Sequence, residues 1–334
     1  MAAEPMFGRR VKGVGGARMP VIVVTGFLGA GKTTLIRSLL ESPRGAGTAI
    51  IVNEFGEIGI DEALLRPGSD ETILLGNGCL CCRMASDLQQ TCAGLLRDRA
   101  RGTVPPFERI IVETSGLADP TPILQTFISE RALREEFHLR GLIAVVDAAT
   151  FERTVSDIPE CLRQVTLADR IVVSKTDLVE PDAIARVLSS LREINPAAGI
   201  GVAAGGRIEP ELILDFDPVP ARFTPVGGAR HTSGIQTFSI ALDTPVQWAG
   251  FAQALAMLTS LRGPDLLRVK GLVNVQGCPG PVVIHLVQHL AHPPVELQAW
   301  PTKDRRSRLV FIVRNMTEAT VRNVIVAVQD AVSQ

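Results

Sequence analysis

No surplus of either charge marks this sequence. Lys plus Arg number 34 and Asp plus Glu 35 in 334 residues, a formal net charge of −1. That balance argues against a broad footprint for DNA or RNA. Lysine is scarce: there are only Lys12, Lys32, Lys175, Lys270 and Lys303, and two of these fall in motifs described below. Six cysteines are too few to staple a chain of this length into a disulfide scaffold. No window approaches the roughly 18 uncharged apolar residues of a membrane helix. The opening MAAEPMFGRRVKGVGGARM mixes charge with glycine and lacks the apolar stretch of a secretory signal. A cytoplasmic protein is expected, with neither a membrane nor a nucleic acid as partner. Internal repeats and low-complexity tracts are also missing.

What is present is globular. Apolar residues make up 46% and charged residues 21%, and the length suits about two domains. β-branched runs recur at residues 21–24, 49–52, 73–75, 110–112, 142–146 and 171–173. Their continuous apolar character fits strands buried on both faces of a mostly parallel sheet. Helix candidates lie between them, among them residues 32–41, 84–101 and 181–194. The alternation predicts an α/β doubly wound domain over residues 19–217, after a flexible arm over residues 1–18. Residues 218–234 are rich in Pro and Gly and read as a linker. Beyond it, residues 235–334 predict a small α+β domain. Its order is a strand (235–242), a helix (246–261), strands (266–275, 282–290, 295–300 and 308–313) and a closing helix (317–332).

The run at residues 21–25 leads into Gly26-Phe27-Leu28-Gly29-Ala30-Gly31-Lys32-Thr33-Thr34. This is G-x-x-x-x-G-K-[ST] placed after a strand and opening a helix. Gly26, Gly29 and Gly31 let backbone N–H groups, with those of Ala30 and Thr34, turn toward phosphate oxygens at a positive helix end. Lys32 is expected to reach the β- and γ-phosphates, and the Thr33 hydroxyl to ligate Mg²⁺.

After the run at 171–173 comes Ser174-Lys175-Thr176-Asp177. A buried Asp177 can accept from N1–H and the N2 amino group of guanine, a pair that adenine lacks. The Lys175 stem can lie along the base. The usual motif of this kind begins with Asn, and Ser174 cannot supply that amide. A helix cap is the plainer reading of the same residues. Following a buried strand, they favour GTP over ATP.

Residues 110–112 run into Glu113-Thr114-Ser115-Gly116. An acid at the end of a buried strand suits Mg²⁺ or its water, and Gly116 can bring its backbone to the γ-phosphate. The alternative is an acid that merely caps the helix near Pro120.

Gly78-Cys79-Leu80-Cys81-Cys82 places three soft donors within four residues, after the third run and before the helix candidate at 84. Thiolates bind Zn²⁺ and similar ions, and Glu54 and Glu57, after the second run, can complete a set. Buried apolar cysteines or a redox switch remain open. Cys92, Cys161 and Cys278 are isolated and suit packing.

Together these motifs resemble the CobW-like P-loop GTPases: GFLGAGKTT at 26–34, NEFGEIGID at 53–61, GCLCC at 78–82, ETSGLADP at 113–120 and SKTD at 174–177, in that order. RVKG at 268–271 and DRRSRLVF at 304–311 extend the similarity past the linker. The resemblance implies a GTP-hydrolysing metallochaperone. It would hold Zn²⁺ or Co²⁺ at Cys79, Cys81 and Cys82 and deliver it to a client metalloprotein or a metal-cofactor enzyme. Many members carry a His-rich tract near the domain junction, whereas here only His231 stands there, so metal storage is not expected. His285, His289 and His292 are left out of the metal site. The rival reading is a GTP-dependent module in which the thiols sense redox state or metal scarcity without delivering an ion. Metal, client, oligomeric state and hydrolytic base stay undetermined at this level.

Overall fold

The structure, a computed structural model, describes residues 11–12, 18–53, 65–66, 72–75, 79–83, 88–215, 230–232 and 235–332. The chain divides into two compact units. One comprises Arg18–Ser190 with Ala198–Pro218; the other comprises Met1–Ala17, Leu191–Ala197 and Val219–Gln334.

Val11–Lys12 (β1) belongs to the second unit. The first unit begins with Met19–Gly26 (β2), Lys32–Glu41 (α1) and Thr48–Asn53 (β3). Then come Leu65–Arg66 (β4), Thr72–Leu75 (β5), Cys79–Arg83 (β6), Leu88–Arg101 (α2), Arg109–Thr114 (β7), Thr121–Ser129 (α3) and Arg131–Glu136 (α4). Phe137–Asp147 (β8), Phe151–Asp157 (α5), Pro159–Leu167 (α6), Arg170–Ser174 (β9), Pro181–Ile194 (α7, whose last turn from Leu191 is grouped with the second unit), Gly199–Val202 (β10) and Glu211–Leu214 (α8) follow. The sheet order is β10-β9-β8-β2-β7-β3-β6-β5-β4. Neighbours from β10 to β6 are parallel, and only the β6–β5 and β5–β4 pairs are antiparallel. Val21, Ile22, Val23 and Val24 are all buried, as strands covered on both faces require. On one face Ile22, Val24, Ile111 and Val145 pack with Leu35, Ile36 and Leu39 of α1 and Ile213 of α8. The expected doubly wound α/β layer is present.

Two details differ from the sequence reading. The run at 73–75 is the antiparallel strand β5, and the cysteines do not follow it in a loop but form β6 themselves. Leu75 pairs with Cys79 across three intervening residues, Gly76-Asn77-Gly78. An Asn-Gly step between β-prone runs is a hairpin signal, and here it outweighs the parallel pattern. The helix expected from residue 84 is described from Leu88 onward.

At the amino ends of the strands, Arg44 and Arg170 grip the chain around α8, and Arg109 holds the backbone of Arg44. Arg44 bonds Glu211 and, through both Nη atoms, Asp215; Arg170 Nη1 donates to Leu212 O at 3.1 Å. Arg109 Nη1 donates to the Arg44 carbonyl at 2.8 Å.

In the second unit, Arg230–Thr232 (β11), Ile235–Leu242 (β12), Trp248–Arg262 (α9), Leu266–Val273 (β13) and Val282–Val287 (β14) come first. Leu290–Ala291 (β15), Val295–Glu296 (β16), Ser307–Arg314 (β17) and Glu318–Val332 (α10) complete it. The order β1-β16-β14-β13-β17-β12-β11, with β15 on β14, is antiparallel except for the β1–β16 pair. Phe251, Leu255 and Leu258 of α9 and Val321 and Ile325 of α10 pack with Phe238, Val269 and Phe311 of the sheet. This is the expected small α+β domain. The expected arm supplies β1, and the expected linker supplies β11; apart from Arg18, the rest of both segments lies outside the described residues. No helix among the described residues is long and apolar enough to cross a membrane.

Candidate nucleotide site

The carboxyl ends of the parallel strands meet along one edge, where α/β sheets bind ligands. β2 ends there in Gly26, whose φ of 145° no other residue adopts readily. A Cβ at Gly26 would also collide with the Val145 carbonyl. The loop turns through an Ala30 N–H to Phe27 O bond of 3.1 Å, with Gly29 at φ 72° and Gly31 at φ 91°, and enters α1 at Lys32. Lys32 is 6% exposed, and its ammonium donates to the carbonyls of Gly26 (2.9 Å) and Phe27 (3.3 Å). The charge is thus held over the loop that bends around it. Thr34 lies in the first turn of α1.

Glu113 is 2% exposed, and its Oε1 accepts the Thr33 hydroxyl at 2.7 Å. The capping alternative fails, because Asp119 does that work. Asp119 Oδ1 accepts from both the N–H and the hydroxyl of Thr121, at 2.9 and 2.6 Å. Burial works to raise the Asp119 pKa, but the Thr121 bonds and Arg163 outweigh it and hold the carboxyl below its ordinary 3.8. Gly116 has no room for a side chain, since a Cβ would stand 2.6 Å from the Leu28 N of the phosphate loop.

Ser174 does not replace the missing asparagine amide, but it joins the motif to the loop. Its hydroxyl lies 2.7 Å from the Ala30 carbonyl and 3.1 Å from that of Val146. Lys175 takes a left-handed φ of 55°, and its ammonium pairs with Asp147 Oδ2 at 2.7 Å. Asp177, expected to be buried, is exposed. The Gly205 N–H donates to its Oδ1 at 2.8 Å and holds its pKa below 3.8. Asp147 and the Ala203–Gly206 turn were not singled out from sequence. A Gly-Gly doublet just after the β10 run was the available signal.

Glu54 and Glu57 lie outside the described residues. Cys79, Cys81 and Cys82 are described as backbone: Cys81 pairs with Ile50 and Cys82 with Ile51 of β3. They were expected near the carboxyl edge, but they run along the strand toward it, and Arg83 lies level with Val52. In turn Val52 pairs with Glu113, and Glu113 with Val24 of β2. One row of paired residues therefore crosses four strands from the phosphate-loop strand to the cysteine strand, about 14 Å. Among the described residues no three His, Cys, Asp or Glu gather as a metal site. His285 and His292 stack at 4.0 Å with rings 9° apart, so their in-plane nitrogens do not converge on one ion. Cys92 and Cys161 are buried, and burial pushes the Cys161 thiol up to about 11, as suits packing.

Residues 20–201 match the family model "CobW/HypB/UreG, nucleotide-binding domain", and residues 235–328 match "Cobalamin synthesis protein cobW C-terminal domain". The chain belongs to the CobW family. The zinc chaperone YjiA of Escherichia coli is 31% identical over 309 residues, covering 90% of this chain and 96% of the relative. The zinc chaperone CobW of a Sinorhizobium species is 31% identical over 352 residues, covering 93% and 97%. The crystal structure of Zn(II)-bound YjiA GTPase superposes with a TM-score of 0.76 at 29% identity, over 93% of this chain and 99% of that one. The CobW family fold thus extends through both units, and the phosphate loop lies within its nucleotide-binding domain.

Proposed function

We propose that this chain is a GTP-hydrolysing metallochaperone that carries a Zn²⁺-type ion and passes it to a client metalloprotein. The observation that carries the reading is the contact between Thr33 and the buried Glu113. It is linked by strand pairing, through Val52, to the strand that bears Cys79, Cys81 and Cys82.

Mg²⁺ fits the hard oxygens of Thr33 and Glu113 and would neutralise charge on the phosphates during transfer. Lys32, already aimed across the loop, meets the β- and γ-phosphates. Gly116 N–H lies beside the loop, where a γ-phosphate would be read. Lys175 and Asp177 select guanine, with Asp177 exchanging the Gly205 N–H for donors of the base.

The ion is cargo. Three thiolates suit Zn²⁺ or Co²⁺, and Glu54 or Glu57 can complete the set, since Glu54 directly follows β3, the neighbour of the cysteine strand. Support comes from relatives named zinc chaperones and from the Zn(II)-bound neighbour. Mg²⁺ and a γ-phosphate taken up at the Thr33–Glu113 contact would displace Glu113 at the end of β7, and through its pairing with Val52 would shift β3 and with it β6. Hydrolysis would reverse the shift and loosen the ion.

Purified protein should hydrolyse GTP in preference to ATP, require Mg²⁺, and bind one Zn²⁺ in competition with a chelating dye. Equal use of ATP would sink the guanine assignment. Absence of tight zinc binding in reduced protein would leave a nucleotide hydrolase without cargo.

A further inference from the structure

α6 presents a mostly apolar buried face: Cys161, Leu162, Val165 and Leu167 are all buried. Among them sits an amide, Gln164, only 1% exposed. Its Nε2 donates to two carbonyls of one segment, Gly116 O and Ala118 O, each at 3.1 Å. Both donors of the amide are thereby spent on the chain just after Glu113. Its Oε1 is buried with no hydrogen-bond partner among the described residues. An apolar side chain of the same size would spare the unpaired oxygen but take the donor away from the Gly116 and Ala118 carbonyls. The amide is therefore committed to holding that one segment.

The neighbouring Arg163 grips the same segment from the exposed side, with Nη1 2.5 Å from Asp119 Oδ2. Asp119 in turn holds Thr121, which opens α3. Two consecutive residues of α6 therefore fix residues 116–119 at three points. The segment they hold packs against the phosphate loop, since Gly116 lies against the Leu28 backbone. Gln164 itself lines a small pocket together with Gly26, Phe27, Leu28 and Ala30 of that loop.

We infer that Gln164 is a positioning residue for the response to the γ-phosphate, with Arg163 as its outer partner. By fixing the carbonyls on either side of Leu117, it sets where the Gly116 N–H stands relative to the phosphate loop. It thereby sets the hydrolysis rate and the distinction between GTP and GDP. This inference rests on the nucleotide reading above and assigns a new residue to it. Gln164 touches neither nucleotide nor metal in this role; it acts through Gly116.

The test uses the full chain and the variants Gln164→Met and Arg163→Met. Methionine keeps the length of glutamine and removes the amide. Three quantities are read: kcat and KM for GTP, the affinity ratio of GDP to a β,γ-imido GTP analogue, and hydrogen exchange of the backbone amides of residues 115–119. For Gln164→Met, kcat should fall about 10- to 100-fold, the scale of a displaced reacting geometry. GDP affinity should stay within about twofold, the preference for the analogue should shrink, and exchange of the segment should quicken. Arg163→Met, altered on the exposed side, should move the same quantities in the same direction by less, and it serves if Gln164→Met folds poorly. A fall in GDP affinity parallel to kcat would overturn the inference, because it marks a merely structural residue. So would unchanged kcat and exchange in both variants. A parent protein that draws no distinction between GDP and the analogue would overturn the nucleotide reading and the positioning role of Gln164 together. A parent that does, matched by its variants, would overturn the positioning role alone.

Discussion

Thr33 and Glu113 stand 80 residues apart in sequence and 2.7 Å apart in space. The contact joins the first turn of α1 to the end of β7, so the loop that would cradle phosphate and the acid beside it move as one. A carboxylate 2% exposed is costly to bury unless it is bonded or holds a cation. The hydroxyl supplies the bond, and Mg²⁺ would supply the cation.

Lys32→Ala should abolish GTP hydrolysis while leaving the fold intact. The ammonium acts where charge accumulates in phosphoryl transfer, and losing one such group costs on the order of 100- to 1,000-fold in kcat. Thermal unfolding should stay close to the parent. Turnover near the parent's would remove the phosphate loop from the mechanism.

Asp177→Asn should weaken GTP binding by at least about tenfold and shift preference toward xanthosine triphosphate. Xanthine carries an oxygen where guanine carries the N2 amino group, so the new amide can donate to it. The pH response has a defined sign. The Gly205 N–H holds the Asp177 pKa below 3.8, so the carboxylate is present at and above that value and is lost only as pH falls through the lower folded one. GTP affinity should therefore stay flat from neutral pH down to about pH 5. Unchanged GTP affinity in the variant would show that Asp177 does not read the base.

Zn²⁺ should bind more tightly in the presence of Mg²⁺ and the non-hydrolysable GTP analogue than with GDP, by roughly 5- to 150-fold. Reciprocity requires bound Zn²⁺ to raise affinity for the analogue by the same factor. The double change of Cys81→Ser and Cys82→Ser should remove tight metal binding and leave basal nucleotide binding in place. A chelator titration in the two nucleotide states decides it. Equal zinc affinity in both would mean that the row through Val52 transmits nothing.

Gly26→Ala should destabilise the protein by about 1–3 kcal/mol, because the methyl group meets the Val145 carbonyl and the positive φ leaves it no relief. Denaturant unfolding reads this directly. A midpoint matching the parent's would show that β2 and β8 can part at that point without cost.

Much of this was legible in the sequence where a local rule acts alone. Helices Lys32–Glu41 and Pro181–Ile194 fall where expected, because Gly31 and Pro181 punctuate them. The phosphate loop was legible for the same reason: its chemistry is contiguous. β6 was not, since cysteine carries little strand preference and the Asn77-Gly78 step was read as part of a thiol motif. Gln164 and Arg163 were invisible, because their partners lie 48 and 44 residues upstream and no periodicity links them. Asp177 was expected to be buried because its motif follows a buried strand, yet it stands exposed beyond the strand end, where the Gly205 turn meets it.

The arginine grip on α8 has a mechanical consequence. Arg170 opens β9 and Arg109 opens β7, so the chain around Asp215 is fastened at the amino ends of the strands. The phosphate loop lies at their other ends, about 17 Å away along a strand of five residues. A pull on the backbone beyond Asp215 therefore cannot tug the loop directly. It has to travel lengthwise through hydrogen-bonded strands, which are stiff along their axis. A displacement carried that way would be a small sliding of whole strands, and β6, paired along β3, would share it.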